Sequence, residues 1–333
     1  MAAVLIYAHH HISVTDKSCG WKKGKEATEE KVVTIDEMFT STEKQNYRAT
    51  ASRPDGLREK LYHQLREAFG HHVAFCWFLS PEVAAPEELH NLESVLRSEE
   101  FKNCPDKVKF LQERVRVCAE QINMIERNTI GQSKNHLWLI TRRFLLTASC
   151  FGAVLKAIRL GSYPKSLFKR IFSSYDLSGV RAVQYGVDNE GEARRLFEEA
   201  FGVKVKSCGL FVHESGLLGA SPDGIIDDDK LLEIKCPWSM RERDVEEELK
   251  KRHDYIVKYN GETLEINYDH EYYHQIQGQI FLANRKCCYV VIWSAKGFVS
   301  VPVKREEAWA ANVHLLLEFF FTHLLPVILK EMI

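Results

Sequence analysis

Residues 217–237 constrain the fold more than any other stretch, because charged side chains sit there on what the surrounding pattern marks as a partly buried strand. Leu217-Leu218-Gly219-Ala220 is small and apolar, Asp227-Asp228-Asp229 is a turn cluster, and residues 230–235 alternate as a strand does. The prediction is a β-hairpin. Successive side chains on a strand face opposite ways, so Glu233 and Lys235 point to one side while Leu232 and Ile234 point into a core. Asp223, where the preceding strand ends, can reach the same spot, which assembles two carboxylates and one ammonium. Carboxylate oxygens are the ligands that hard cations such as Mg2+ prefer. For Glu-x-Lys taken alone, the plain alternative is a surface ion pair, and such pairs contribute little.

A chain of 333 residues, 45% of them hydrophobic, can bury a sizeable core. Lys+Arg 45 against Asp+Glu 46 leaves a formal net charge of -1, so bulk basicity does not advertise nucleic acid and any DNA contact has to come from a local patch. The nine cysteines include no C-x-x-C pair and are odd in number, which points to free thiols in a reducing compartment. The expectation is an intracellular protein that is not secreted, with the nucleus and the cytosol both open. Residues 1–8 form too short an apolar run for a signal peptide and lead into His9-His10-His11. The apolar run 313–329 is interrupted by Glu318, His323 and Pro326, so it is expected to fall short of a membrane span and to form a core helix.

Residues 1–52 read as an irregular polar arm and residues 53–130 as a helical region. One helix runs from Pro54 to a stop at Gly70, and a second follows Pro86 with Leu89, Leu92, Val95 and Leu96 on its apolar stripe. A third, longer helix is expected after Pro105, because Val108, Leu111, Val115, Cys118, Ile122 and Ile125 recur at alternating spacings of three and four. Residues 131–333 read as a single domain. In it, a helix begins near Asp188 or Asn189 as N-cap and stops at Gly202, which puts Glu190 on the inward face of its first turn. Strands are predicted at 203–206, 209–213, 287–293 and 298–303, a charged helix at 239–253, and a hairpin about Asn260-Gly261. A helix opening at Glu271 carries Gln275.

Ser221-Pro222-Asp223-Gly224, followed by Glu233-Ile234-Lys235-Cys236-Pro237, resembles the catalytic core of the PD-(D/E)XK nucleases, in the YqaJ and lambda exonuclease branch and its animal, mobile-element-associated type. Trp138, Arg142 and the Thr147-Ala148-Ser149 run match, in register, the segment that precedes the first core helix of those families. The resemblance implies an α/β fold: a restriction-endonuclease-like mixed central sheet flanked by helices, with a helical N-terminal extension. It implies Mg2+, with Mn2+ able to substitute, held by Asp223, Glu233, the Ile234 carbonyl and Glu190. It also implies catalytic roles for Lys235 and Gln275, and a phosphate site of Arg142, Ser149 and Ser221, with Arg143 as fallback. The implied activity is 5′-to-3′ exonuclease action on linear double-stranded DNA with free ends, in recombination or repair, by a protein that can form a trimer and meets no membrane. A structure-selective endonuclease of mobile-element origin and an inactive DNA-binding module remain open beside it.

Overall fold

The computed structural model describes Gln64, residues 91–172 and residues 180–332, and the last two segments lie within one compact unit, Glu82–Ile333. The polar arm 1–52 and, apart from Gln64, the helix expected from Pro54 to Gly70 fall outside the described residues.

Four short helices lead in: α1 (Leu92–Arg97), α2 (Glu99–Asn103), α3 (Lys107–Arg114) and α4 (Ala119–Asn128). Leu92, Leu96, Phe101, Leu111 and Ile125 are buried in the same cluster as Leu146, Leu218 and Ile276. The one long helix expected over Val108 to Ile125 is therefore two. Val117 N–H donates to Glu214 O at 3.0 Å, a bond to another part of the chain that the helix would have forbidden. Cys118 then caps α4, its N–H donating to Gln121 Oε1 at 2.9 Å.

After a 3-10 turn (Gln132–Lys134) come α5 (His136–Arg142), β1 (Leu146–Thr147), α6 (Ala148–Leu160), α7 (Lys165–Phe172) and α8 (Arg181–Phe201). Gly202, at φ 63°, closes α8 where the sequence places its stop, but the helix starts at Arg181. Asp188 and Asn189 thus lie inside it, bonded to Gln184 Nε2 at 2.6 Å and Tyr185 O at 2.8 Å. Local capping chemistry lost to about two further turns, in which Tyr185 packs against Trp238 and Trp293.

The strands β2 (Val205–Lys206), β3 (Phe211–Val212), β4 (Leu218–Ala220), β5 (Gly224–Ile226) and β6 (Lys230–Lys235) follow. After them come α9 (Val245–Lys250), β7 (Val257–Tyr259), β8 (Leu264–Ile266), α10 (Glu271–Leu282), β9 (Cys287–Ser294) and β10 (Gly297–Lys304). The expected charged helix over 239–253 is only the six residues of α9, preceded by a 3-10 turn (Trp238–Met240). The principal sheet has the order β10-β9-β6-β5-β2, with β6 and β9 parallel and the other pairs antiparallel. A second sheet has the order β1-β4-β3, and β7 and β8 pair as the Asn260-Gly261 hairpin. This is the expected mixed α/β architecture, with the strands divided among three sheets.

Ser221-Pro222-Asp223 carries the chain from the end of β4 in one sheet to the start of β5 in the other. Pro222 has no N–H to extend either ladder, which suits a crossing point. Its carbonyl accepts from Gln132 Nε2 at 2.7 Å and Cys208 Sγ at 3.2 Å, so the crossing is tied down.

α10 lies across the sheet against α6. At Gly152 an added Cβ would stand 2.4 Å from Glu271 O, and at Gly278 it would stand 2.5 Å from Phe151 Cδ2, so both glycines are needed for this close approach. The C-terminal helical run is α11 (Ala311–Phe319), a π-turn (Phe320–Leu324) and α12 (Leu325–Met332). Contrary to the expectation from its interruptions, the 24 residues Glu307–Lys330 are long and apolar enough to cross a membrane by length and composition alone. Leu316, Phe319, Phe320, Leu324, Leu325 and Ile328 are nonetheless buried in the main core.

Candidate active site

β6 is the central strand of its sheet, and both of its faces are covered. Leu232 and Ile234 pack with Ala193 and Phe197 of α8, while Glu233 and Lys235 face α10. Glu233 is 3% exposed and surrounded by donors. Its Oε1 accepts from Lys235 Nζ at 2.6 Å and Gln275 Nε2 at 2.6 Å, and its Oε2 accepts from Gln279 Nε2 at 2.8 Å. Hydrogen bonds to a buried charged group contribute about 1.5–3 kcal/mol each, which is the scale needed to hold a carboxylate away from water.

Asp223 completes the pair from the sheet crossing. Its N–H donates to Leu232 O at 3.0 Å, and its Oδ2 accepts from Ile234 N–H at 2.6 Å. Burial, followed by the negative charge of Glu233, raises the Asp223 carboxyl well above its ordinary value. Glu190 is solvent-exposed and lies well inside α8 instead of in its first turn. Its carboxyl is also raised, by desolvation and then by Glu233. Burial works against the Lys235 ammonium, but Glu233 and Asp223 outweigh it and hold its pKa above the usual lysine value. Lys235 Nζ also stands 4.9 Å from the Tyr272 ring centroid.

The charge of Glu233 thus disfavours the charged forms of Asp223 and Glu190, which a cation would relieve. The donor set is entirely oxygen, with the Ile234 carbonyl on the same strand, and it suits a hard divalent ion. Among the described residues, however, no three His, Cys, Asp or Glu side chains stand close enough to hold an ion as they are. Lys235 takes the position of positive charge beside Glu233. The predicted ligands are gathered without being closed into a chelate.

A second polar group flanks this one. Trp138 Nε1 donates to Ser221 Oγ at 2.8 Å, and the Arg142 guanidinium lies 4.8 Å from the Trp138 ring. Arg142 Nη2 reaches Thr147 Oγ1 at 3.5 Å, and Thr147 Oγ1 meets Ser149 Oγ at 3.1 Å. Ser149 lies within the first turn of α6, exposed, and Thr147 occupies the N-cap position. Burial lowers the Arg142 pKa, so this cation is held partly out of water. Arg143 turns away to pair with Glu93 at 2.8 Å, which identifies Arg142 as the arginine facing the hydroxyls. Arg142, Ser149 and Ser221 are therefore brought together, through Trp138 and Thr147.

Four participants were not assigned to the site from sequence. Gln279 follows Gln275 by one helical turn, so the i, i+4 rule would have placed it on the same face. Thr147 sat in the quoted motif without a role. Tyr272 lies in the first turn of α10, where its residue type alone gives no role. Arg170 of α7 carried no local signal: its Nη2 donates to Ser149 O at 3.2 Å and its Nη1 pairs with Glu271 at 2.8 Å. Tyr273 and His274 are packing residues, bonded to Glu306 at 2.6 Å and Trp309 at 3.0 Å.

Residues 137–286 match the profile of the YqaJ-like viral recombinase domain. The chain is 28% identical over 208 residues to the alkaline nuclease of Orgyia pseudotsugata multicapsid polyhedrosis virus, covering 55% of this chain and 46% of that protein. It is 26% identical over 211 residues to the alkaline nuclease of Autographa californica nuclear polyhedrosis virus, covering 57% and 48%. The chain therefore spans about half the length of these curated relatives. Among solved structures, it resembles the alkaline exonuclease LHK-Exo of Laribacter hongkongensis at 25% identity and a TM-score of 0.42, over 57% of this chain and 92% of that one.

Proposed function

We propose, on the premise that residues 137–286 belong to the YqaJ-like viral recombinase family of the PD-(D/E)XK nucleases, that this protein is a divalent-metal-dependent deoxyribonuclease. Its substrate on this reading is linear double-stranded DNA, degraded from 5′ to 3′ in recombination or repair. The carrying observation is Glu233, buried at 3% exposure, held by Lys235, Gln275 and Gln279 beside the Asp223 crossing.

Asp223, Glu233 and the Ile234 carbonyl would hold Mg2+ or Mn2+, with Glu190 adjoining. A divalent ion so placed would acidify a bound water and stabilise charge on a phosphate. Gln275 and Gln279 orient Glu233, each using its amide N–H on one carboxylate oxygen. Lys235 exchanges its bond to Glu233 for one to the attacking water and orients it; as an ammonium it favours the hydroxide that forms, and the water's proton passes to solvent. Arg142, Ser149 and Ser221 receive a DNA phosphate, the 5′-terminal one on the exonuclease reading. Arg142 supplies a planar guanidinium fork, and Ser149 stands in the first helical turn where N–H groups point outward. An intracellular site of action, in the nucleus or the cytosol, and assembly as a trimer belong to the same proposal.

The test uses end-labelled linear duplexes with and without a 5′-phosphate, and a closed circle, in Mg2+, Mn2+ or EDTA. Metal-dependent loss of linear DNA that spares the circle, and that an Asp223→Ala/Lys235→Ala enzyme does not perform, is expected. Cutting of the circle would replace the exonuclease with an endonuclease, and an unimpaired double variant would refute the assigned site.

A further inference from the structure

Immediately beyond Lys235 the chain leaves β6 through Cys236-Pro237 and enters the 3-10 turn Trp238–Met240. Met240 is fully buried there, whereas Trp238 is 37% exposed and joins neither of the two buried hydrophobic clusters. A large aromatic ring left in water beside a catalytic strand has to be accounted for.

The ring is held in place. The Arg241 guanidinium lies 3.9 Å from its centroid, and Arg241 Nη1 donates to Trp238 O at 2.9 Å, so the same arginine fixes both the turn and the indole. Tyr185 of α8 meets the indole edge-on, with centroids 5.4 Å apart and planes at 79°. Tyr185 is itself backed by Trp293 of β9 at 6.4 Å. α8 also carries Glu190, so the helix that supplies the third carboxylate supports the ring as well. The other bond of the Arg241 head is a surface pair with the exposed Glu242 at 3.5 Å, which is weak enough to yield to a ligand.

A flat, cationic and aromatic step of fixed orientation, next to a site that cleaves a sugar-phosphate chain, fits a nucleobase. Bases stack on indole rings and on guanidinium planes alike, and every base offers a π-face, so such a step binds without reading sequence. We propose that Trp238 and Arg241 form a stacking step for one base adjoining the cleaved phosphate, with Tyr185 as the positioning residue of the indole. The proposal rests on the nuclease reading and adds to it a base subsite. Because Cys236 and Pro237 are all that separate the step from Lys235, the base lies within a nucleotide or so of the bond that is cut.

Linear duplexes carrying 2-aminopurine at successive positions from the 5′ end are titrated with the full chain in EDTA, which suppresses cleavage. One position is expected to show fluorescence quenching by stacking, retained in Trp238→Phe and lost in Trp238→Ala, with binding weakened about tenfold in the alanine variant. An abasic nucleotide at that position is expected to weaken binding to the wild type by a similar factor and to leave Trp238→Ala unaffected. Equal binding and equal quenching by wild type and Trp238→Ala, or no position-dependent quenching at all, would overturn the step. The two readings separate cleanly. Retained quenching without cleavage in any metal sinks the nuclease and keeps the step, whereas normal cleavage with an indifferent Trp238→Ala sinks the step alone.

Discussion

Replacing Lys235 with methionine keeps most of the length of the side chain and removes its ammonium, so it isolates the buried pair. Lys235 Nζ sits 2.6 Å from Glu233 Oε1, and the two side chains are 25% and 3% exposed. Breaking such a pair by deleting one partner typically costs about 3–5 kcal/mol, because the remaining charge loses its compensation. For a unit of this size, each kcal/mol lowers the melting temperature by about 2–4 °C, so the expected fall is about 6–20 °C. Two effects bound the loss. Gln275 and Gln279 still donate to Glu233, and the raised Asp223 and Glu190 carboxyls can take up protons to relieve the excess negative charge. A Glu233→Gln/Lys235→Met variant is expected to regain most of the stability, since the buried Gln279 Oε1, which has no partner among the described residues, can accept from the new amide once the side chains flip. Thermal unfolding near pH 8 of the wild type, the two single variants and the double variant closes the cycle. A Lys235→Met protein as stable as wild type, or a double variant no better than the single, would refute the account of Lys235 as the counter-charge of a buried carboxylate.

Gly152→Ala is expected to destabilise by about 1–3 kcal/mol through overpacking, since its Cβ would stand 2.4 Å from Glu271 O; an unchanged denaturant midpoint would show that α6 and α10 can separate freely. Arg142→Ala is expected to reduce the preference for 5′-phosphate over 5′-hydroxyl ends by about 10- to 100-fold, the value of a charge-assisted hydrogen bond, read from paired cleavage rates. The histidines predict acid sensitivity. Burial lowers the pKa of His213, His270 and His274, and each uses Nδ1 as an acceptor, from Ser215 N–H at 3.1 Å, Tyr272 N–H at 3.2 Å and Trp309 Nε1 at 3.0 Å. Their folded pKa values lie below the unfolded 6.5, so the unfolded chain binds more protons in between. Stability is complete above that value and falls as pH drops through it, by at most about 1.4 kcal/mol per pH unit for each histidine, in urea titrations between pH 7 and 5.

The strand over 230–235 and its turn were legible because they are local. Their partner, however, is Gly224–Ile226, beyond Asp223, and Leu218–Ala220, expected to be the near strand of the hairpin, pairs in the other sheet. Alternation over Lys230–Lys235 and the turn at Asp227-Asp228-Asp229 belong to neighbouring residues, and side-chain parity alone places Glu233 and Lys235 together. Gly202 as a helix stop and Asn260-Gly261 as a hairpin turn were likewise decided by backbone chemistry at one or two positions. Elements failed where a distant partner overruled a local preference. The stripe from Val108 to Ile125 has helical spacing throughout, yet Glu214 captures the backbone of Val117 and splits it. Asp188 can cap a helix, but the packing of Tyr185 against Trp238 and Trp293 rewards the longer one.

The amino-acid sequence by itself marked Asp223, Glu233, Lys235 and Gln275 as candidates for one site, because residue type and spacing along one strand and one helix are properties of the chain. Tertiary structure decided their state. It put Asp223 at a crossing between two sheets, buried Glu233 under the amides of α10, turned Arg142 instead of Arg143 toward Thr147 and Ser149, and brought in Arg170 from α7. Burial and the charge of distant neighbours set how a carboxylate titrates and which donors surround it, and neither quantity is defined until the chain has folded.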